Sequence, residues 1–415
     1  MMFVFFIYLV LAFIFNPLAF GALKEVKVRV SWEPVAGGAA AVGAIALNEK
    51  LFEKYAEKFG YKVIPESLEF PGGPPQNEAM AAGQVDIDMH MSSMPIVARI
   101  FAGIKCTLVG MSGSHISNAL MVRPGSPIND VSQIAGKTVG LVLGSSSHYL
   151  LASIVYYHMG KSIPDAGIKL VGMGVAEAMK MPKGIDVAAI WVPHRFIGPL
   201  NGLCELLVDG DGYTGKGHKT PGVRLPEVKK SWAYPEGYNT DRLYLWAADK
   251  FLKEYPDLVT AWLLAYWEAQ DIIVGNREKG FNLINKWWKT DREVVEHVFD
   301  CYAEPAGVRN CPIILEWDVL TAIKTSEFVN HLKLREKPLT WDQLKPLVIG
   351  GADVQKKAWE MRGKKPSIDD MIKGFQGKSK RYGEIIVNGG APCWMWGEIP
   401  DWGKRIYRTG PFKIE

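Results

Sequence analysis

Apolar and charged residues alternate from Val26 to Val30, with Lys27 and Arg29 between the valines, which is the period of a strand. Ser31, Trp32, Glu33 and Pro34 end that strand. After Gly37 and Gly38 an alanine-rich run predicts a helix through Leu47 and Phe52, and Tyr61 to Leu68 reads as a second strand. The loop Gly72, Gly73, Pro74, Pro75 then opens a helix running through Glu78 to Ala82. Gly83 stops it, Val85 to Met89 alternate as a short buried strand, and Pro95 starts another helix just after Ser92 and Ser93. Strands are also expected over 105–111 and 119–122. Strands alternating with helices of this size predict a mainly parallel sheet.

The same order recurs further on. A strand through Gly136 to Leu143 is followed by Gly144, Ser145, Ser146, Ser147 and His148, and then by an apolar helix from Tyr149 to about His158. More strands fit 168–171 and the segment from Gly184 to His194. The turn-rich stretch Arg123 to Pro127 marks a first crossing between two lobes, and the region around Tyr238 to Thr240 marks the return. From Ala247 onward, Phe251, Leu252, Tyr255, Leu258, Trp262 and Tyr266 recur at the three- and four-residue steps of a helix face, and further helices fit 276–289, 291–300 and 314–332. The expected organisation is lobe I over 23–123 and 240–330, lobe II over 124–239, and a C-terminal extension over 331–415 packed on lobe I.

Length and composition agree with two domains: 415 residues, 48% hydrophobic and 22% charged. A formal net charge of +4 without a block of lysine and arginine gives no footprint for nucleic acid. Residues 1–22 are apolar and carry no charge, which predicts a secretory signal peptide, with an uncleaved membrane anchor as the alternative. The expected location is periplasmic or extracytoplasmic. Of five cysteines, Cys301 and Cys311 are the candidate disulfide. The stripe of Met89, His90, Met91 and Met94 reads as core packing rather than a metal site, and no cofactor is expected.

The candidate chemistry lies in the two serine loops. Each places small hydroxyls and backbone N–H groups at the start of a helix, where several donors lack partners and the dipole is positive, so an anion is favoured there. Plain helix capping explains the same serines, and one serine capping while another meets a ligand satisfies both readings.

The order of these motifs resembles a known family. Phe70 to Gly73, Asn77 to Asp86, Ser92 to Pro95, Gly136 to Gly140, Gly144 to His148 and Ile190 to Pro193 are similar to the exported solute-binding proteins of ABC importers that take up sulfonates, taurine, nitrate and related anions. The resemblance covers roughly residues 25–300. It implies an α/β, two-lobed type II periplasmic-binding-protein fold, each lobe a mainly parallel sheet flanked by helices, with a helical C-terminal extension beyond it. It implies a non-enzymatic, monomeric receptor for a small anionic ligand, with an ABC permease as partner. The candidate ligand-binding residues are Trp32, Gly73, Ser92, Ser93, Ser145, Ser146, Ser147, His148, Trp191 and His194. Val192 stands where family members often carry an acid, which weighs against amine recognition. The same scaffold hosts desulfinase-like enzymes that cleave C–S bonds, but the loop at Ser31 to Glu33 lacks their cysteine nucleophile. That enzyme and an exported sensor domain are the alternatives.

Overall fold

A computed structural model of the protein describes residues 22–34, 37–113, 118–215, 222–234, 237–238, 241–300, 312–363 and 393. Two five-stranded sheets form the centres of two lobes. The first begins with β1 (Lys24–Trp32), which buries Val26, Val28 and Val30 on one face, as its alternation predicts. Next come α1 (Gly37–Asn48) and α2 (Leu51–Glu57), then β2 (Tyr61–Glu69), α3 (Gly73–Ala81), β3 (Ile87–Ser92), α4 (Ser93–Phe101) and β4 (Cys106–Gly113). The expected single helix over 37–52 is two, because Lys50 takes a left-handed conformation between them.

The second sheet contains β5 (Asn118–Val122), β6 (Thr138–Leu141), β7 (Lys169–Gly172), β8 (Val187–Trp191) and β9 (Glu205–Asp209). Its helices are α5 (Ser146–Met159), α6 (Val175–Met179) and α7 (His194–Leu200). The chain returns in β10 (Leu243–Ala248) and continues into α8 (Asp249–Glu254), α9 (Pro256–Gly275), α10 (Arg277–Trp288) and α11 (Arg292–Asp300). After residue 311 come α12 (Glu316–His331), α13 (Trp341–Ile349) and α14 (Ala352–Met361).

Strand order is β2-β1-β3-β10-β4 in the first sheet and β7-β6-β8-β5-β9 in the second. Both are mixed. β1 runs parallel to β2 and β3, and β6 to β7 and β8, whereas β10 runs antiparallel to β3 and β4, and β5 to β8 and β9. The reversed strands are the two that come directly after the crossings, since a chain arriving from the other lobe enters the sheet from its opposite end. β5 thus lies in the second sheet. The first crossing falls between Gly113 and Asn118 and not at Arg123–Pro127.

Beyond the two sheets, α13 and α14 pack on β4 and α14 also on α9, all elements of the first lobe. Cys106 and Cys204 are buried free thiols, and Cys393 is buried. Cys301 and Cys311 lie outside the described residues, as does the apolar leader. Among the described residues no helix is long and apolar enough to cross a membrane.

Candidate functional site

The carboxyl ends of β1, β3, β6 and β8 face a cleft between the lobes, the place where open α/β sheets present their loops. The lobes touch across it. Gly37 N donates to Val192 O at 3.0 Å. A Cβ placed on Gly72 would lie 3.3 Å from Val142 Cγ1, and one on Gly144 would lie 3.7 Å from Pro74 Cγ. The cleft holds about 340 Å³ of space not filled by atoms, the part open to solvent included. Glu33, Gly73, His90, Ser92 and Pro95 line it from the first lobe with Leu243, and Ser145, Ser146 and Trp191 line it from the second.

The lobe II wall is the start of α5, a helix of 14 residues with Ser145 as its N-cap. Gly144, at φ +75°, turns the chain from β6 into it, a conformation that glycine adopts without strain. Ser145 Oγ donates to Val142 O at 2.7 Å and Ser146 Oγ to Asn118 Oδ1 at 3.3 Å. With both hydroxyl protons committed, the donors that this turn offers a ligand are the backbone N–H groups of the first helical turn. Trp191, 5% exposed, closes the same side.

Two other helices also begin at the cleft, with less to give an anion. In α3, Pro74 and Pro75 sit in the first turn and carry no N–H. In α4, Ser93 N already donates to Asp241 Oδ1 at 2.8 Å, so the protein's own carboxylate caps that helix.

The lobe I wall is acidic. Burial pushes the Glu33 carboxyl up, Asp88 adds to this, the Gln76 Nε2 hydrogen bond at 3.0 Å opposes it, and Asp241 raises it further; the result is about 8. Glu33 is half-buried because it opens onto the cleft. Beneath it Asp88 is paired with Arg99 at 2.5 Å, both fully buried. Arg242 lies 3.6 Å from Asp318. Among the described residues lining the cleft none is lysine or arginine. His90, 1% exposed, has no partner on either ring nitrogen, and burial pushes its ring down to about 3, so it faces the cleft neutral.

Of the residues singled out in the sequence, Gly73, Ser92, Ser145, Ser146 and Trp191 meet at this cleft. The others do not line it. Trp32 is fully buried in the core of lobe I, where its Nε1 donates to Ser67 Oγ at 2.7 Å and its ring lies 4.9 Å from that of Trp287. Its parity along β1 is that of Val26, Val28 and Val30, which sends it inward. Ser93 is fully buried, engaged with Asp241 through its N–H and accepting at Oγ from Arg242 N. Ser147, in the first turn of α5, is fully buried. His148 Nδ1 accepts from Gly144 N at 3.2 Å, which fixes the turn, and burial and Arg335 push its ring down. His194 starts the short α7, and burial pushes its ring down to about 4. Glu33, His90, Pro95 and Leu243 were not expected at a site. Glu33 shares the odd parity of Arg29 and Ser31, the one signal that set it apart from Trp32.

Residues 68–201 match the profile of the NMT1/THI5-like family. The matched segment supplies Gly73, His90, Ser92, Pro95, Ser145, Ser146 and Trp191, and leaves Glu33 and Leu243 outside it. Over 279 residues the chain is 26% identical to a protein of Bacillus subtilis described as an aliphatic sulfonates-binding protein, covering 66% of this chain and 73% of that one. A protein of Escherichia coli with the same description is 29% identical over 188 residues, 42% of this chain and 56% of the relative. Both relatives are described as binding proteins. A solved structure of the alkanesulfonate-binding protein SsuA from Xanthomonas axonopodis pv. citri bound to MOPS superposes with a TM-score of 0.60 at 18% identity, over 78% of this chain and 98% of that one. The fold is that of periplasmic binding proteins.

Proposed function

We propose that this chain is an exported solute-binding receptor. It takes a small ligand with an anionic group into the cleft and delivers it to the permease of an ABC importer. The observation that carries the reading is the start of α5, which brings unpartnered backbone N–H groups to a cleft walled by both lobes. The relatives described as aliphatic sulfonates-binding proteins support a sulfonate as the anionic group. A ligand touching both walls favours the closed arrangement in proportion to the contacts it makes only there. Exclusion of water strengthens each hydrogen bond to it.

Binding stabilises the folded state by mass action, about 2.7 kcal/mol at a ligand concentration 100 times Kd. A panel of alkanesulfonates, short carboxylates, nitrate and sulfate is therefore expected to contain at least one compound that raises the melting temperature of the protein in a concentration-dependent way. A flat response across the whole panel overturns the anion-receptor reading.

A further inference from the structure

We propose that His148 is the positioning residue of the turn that starts α5, that it works only as a neutral ring, and that Arg335, from beyond α12, keeps it so. The inference rests on the receptor reading above and concerns the control of that same site.

The turn is held from both sides. Ser145 N and Ser145 Oγ donate to Val142 O, at 3.3 and 2.7 Å, and Gly144 N donates to His148 Nδ1 at 3.2 Å. Of these bonds only the last has a titratable partner. The helix ladder reaches back to the turn through Tyr149 N and Ser145 O at 3.2 Å, which leaves the amides of Ser146, Ser147 and His148 outside it. Gly144 N–H can donate to Nδ1 only while that nitrogen carries no proton, so the ring is fixed as the neutral tautomer with its proton on Nε2. His148 is the third residue of α5. That is where a capping box places Glu or Gln, whose side chain reaches back to an amide ahead of the helix. A carboxylate there would occupy the positive end of α5 and repel an incoming anion. A protonated imidazole would set N–H against N–H and release Gly144. A neutral imidazole accepts the amide and adds no charge.

The surroundings hold that state. Burial and the Arg335 guanidinium push the ring below its ordinary 6.5. Arg335 lies in the segment after α12, and its Nε is buried without a hydrogen-bonding partner. The other elements packed on α5 bring no countercharge to His148. β5 and β8 have no titratable side chain. In α4, Arg99 is paired with Asp88. The turn at 226–230 carries Glu227, Lys229 and Lys230, and Asp130 precedes the turn at 131–134. Glu227, Asp130 and Lys230 act on His158, at the far end of α5. The extension beyond α12 thus reaches the start of α5 through the charge state of one ring.

Because the folded ring titrates below 6.5, the turn is intact above that pH and loosens as pH falls through the lowered value. Anion affinity therefore drops on acidification. A histidine that bound the anion itself would give the opposite slope, since its protonated form attracts negative charge.

Heteronuclear NMR of the full chain, labelled at histidine and glycine, tests the ring without a ligand. It is expected to show Nδ1 unprotonated and the Gly144 amide protected from exchange at about pH 7.5. Arg335→Gln is expected to raise the pH at which the ring takes up its proton. Titration calorimetry with ethanesulfonate as the probe then reads the site. From about pH 7.5 to about pH 5 the unsubstituted protein is expected to lose about fivefold or more in affinity relative to His148→Asn, whose Oδ1 accepts from Gly144 at any pH. Glu33 titrates in both proteins, so the difference between them reports on His148. In His148→Glu the melting temperature is expected to hold while ethanesulfonate binds about tenfold or more weakly. A proton on Nδ1 at neutral pH overturns the proposal. So does an affinity that rises on acidification more in the unsubstituted protein than in His148→Asn. If the ring titrates unchanged in Arg335→Gln, the role given to Arg335 is wrong. If ethanesulfonate and the wider anion panel all fail to bind, the receptor reading falls, and the NMR of the unsubstituted protein still decides whether the neutral ring holds the turn.

Discussion

Glu33 titrates at about 8 in the folded protein against an ordinary value of 4.5. Between those two values the folded chain keeps a proton that the unfolded chain has released. Stability therefore declines as pH climbs from 4.5 to about 8 and levels off above it. With water in the open part of the cleft taken into account, the loss is on the order of 1–3 kcal/mol. Urea unfolding of the ligand-free protein at about pH 5 and pH 8 is expected to show this fall, and Glu33→Gln is expected to remove most of it. A pH dependence that the substitution leaves unchanged would assign the slope to other buried acids, such as Asp88 and Asp241. At this scale the sequence told part of the site. The serine loops were legible because a helix start is local chemistry, written within a few residues. Glu33 was not, because what perturbs it comes from Gln76, Asp88 and Asp241, all remote in the chain. Trp32 could have been placed correctly by its parity along β1; its aromatic character alone pointed to a ligand.

Among elements, α3 shows what positions the cleft. Its N-terminus packs so closely on α4 that a Cβ added to Gly73 would lie 2.6 Å from Pro95 Cγ and 2.9 Å from Pro95 Cβ. Proline has little freedom to retreat, so Gly73→Ala forces the two helices apart at the cleft wall. The expected cost is about 1–3 kcal/mol, read as a lower urea midpoint, together with weaker ligand binding. A variant with unchanged stability would mean that the α3–α4 contact is looser than this packing implies. The periodicity of the sequence found many of the strands and helices here, including β1, β2, β6 and α10 to α12. It did not anticipate β9, α6 or α7, which are short and contain little amphipathic signal. Nor did it show the reversal of β5 and β10. Direction within a sheet is set by where the chain comes from, not by the alternation of its residues.

Over the whole molecule, α12 joins what the crossings separate. At its start Asp318 O accepts from Tyr244 Oη at 2.9 Å, and its flank packs on α4, both in lobe I. Further along, Phe328 meets the lobe II rings of Tyr149 at 6.1 Å, Tyr156 at 5.7 Å and Tyr157 at 5.4 Å, with Trp232 at 6.3 Å. Phe328 is 1% exposed. Phe328→Ala is expected to cost about 3–5 kcal/mol, measured by denaturant unfolding, because the cavity lies between lobes that cannot collapse onto it. The variant is also expected to bind ligand more weakly and, by small-angle scattering, to be more extended without ligand. If its affinity and dimensions match those of the unsubstituted protein, α12 is only a cover for lobe I. The boundary at residue 331 drawn from the sequence grouped α12 with lobe I alone, since a contact between distant aromatic residues leaves no local mark.

A clasp along one flank gives the molecule a handedness in use. Under the proposed receptor role, the lobes are expected to part on the side away from α12, so that a ligand enters and leaves there. A membrane partner that empties such a receptor is then expected to approach from that same side.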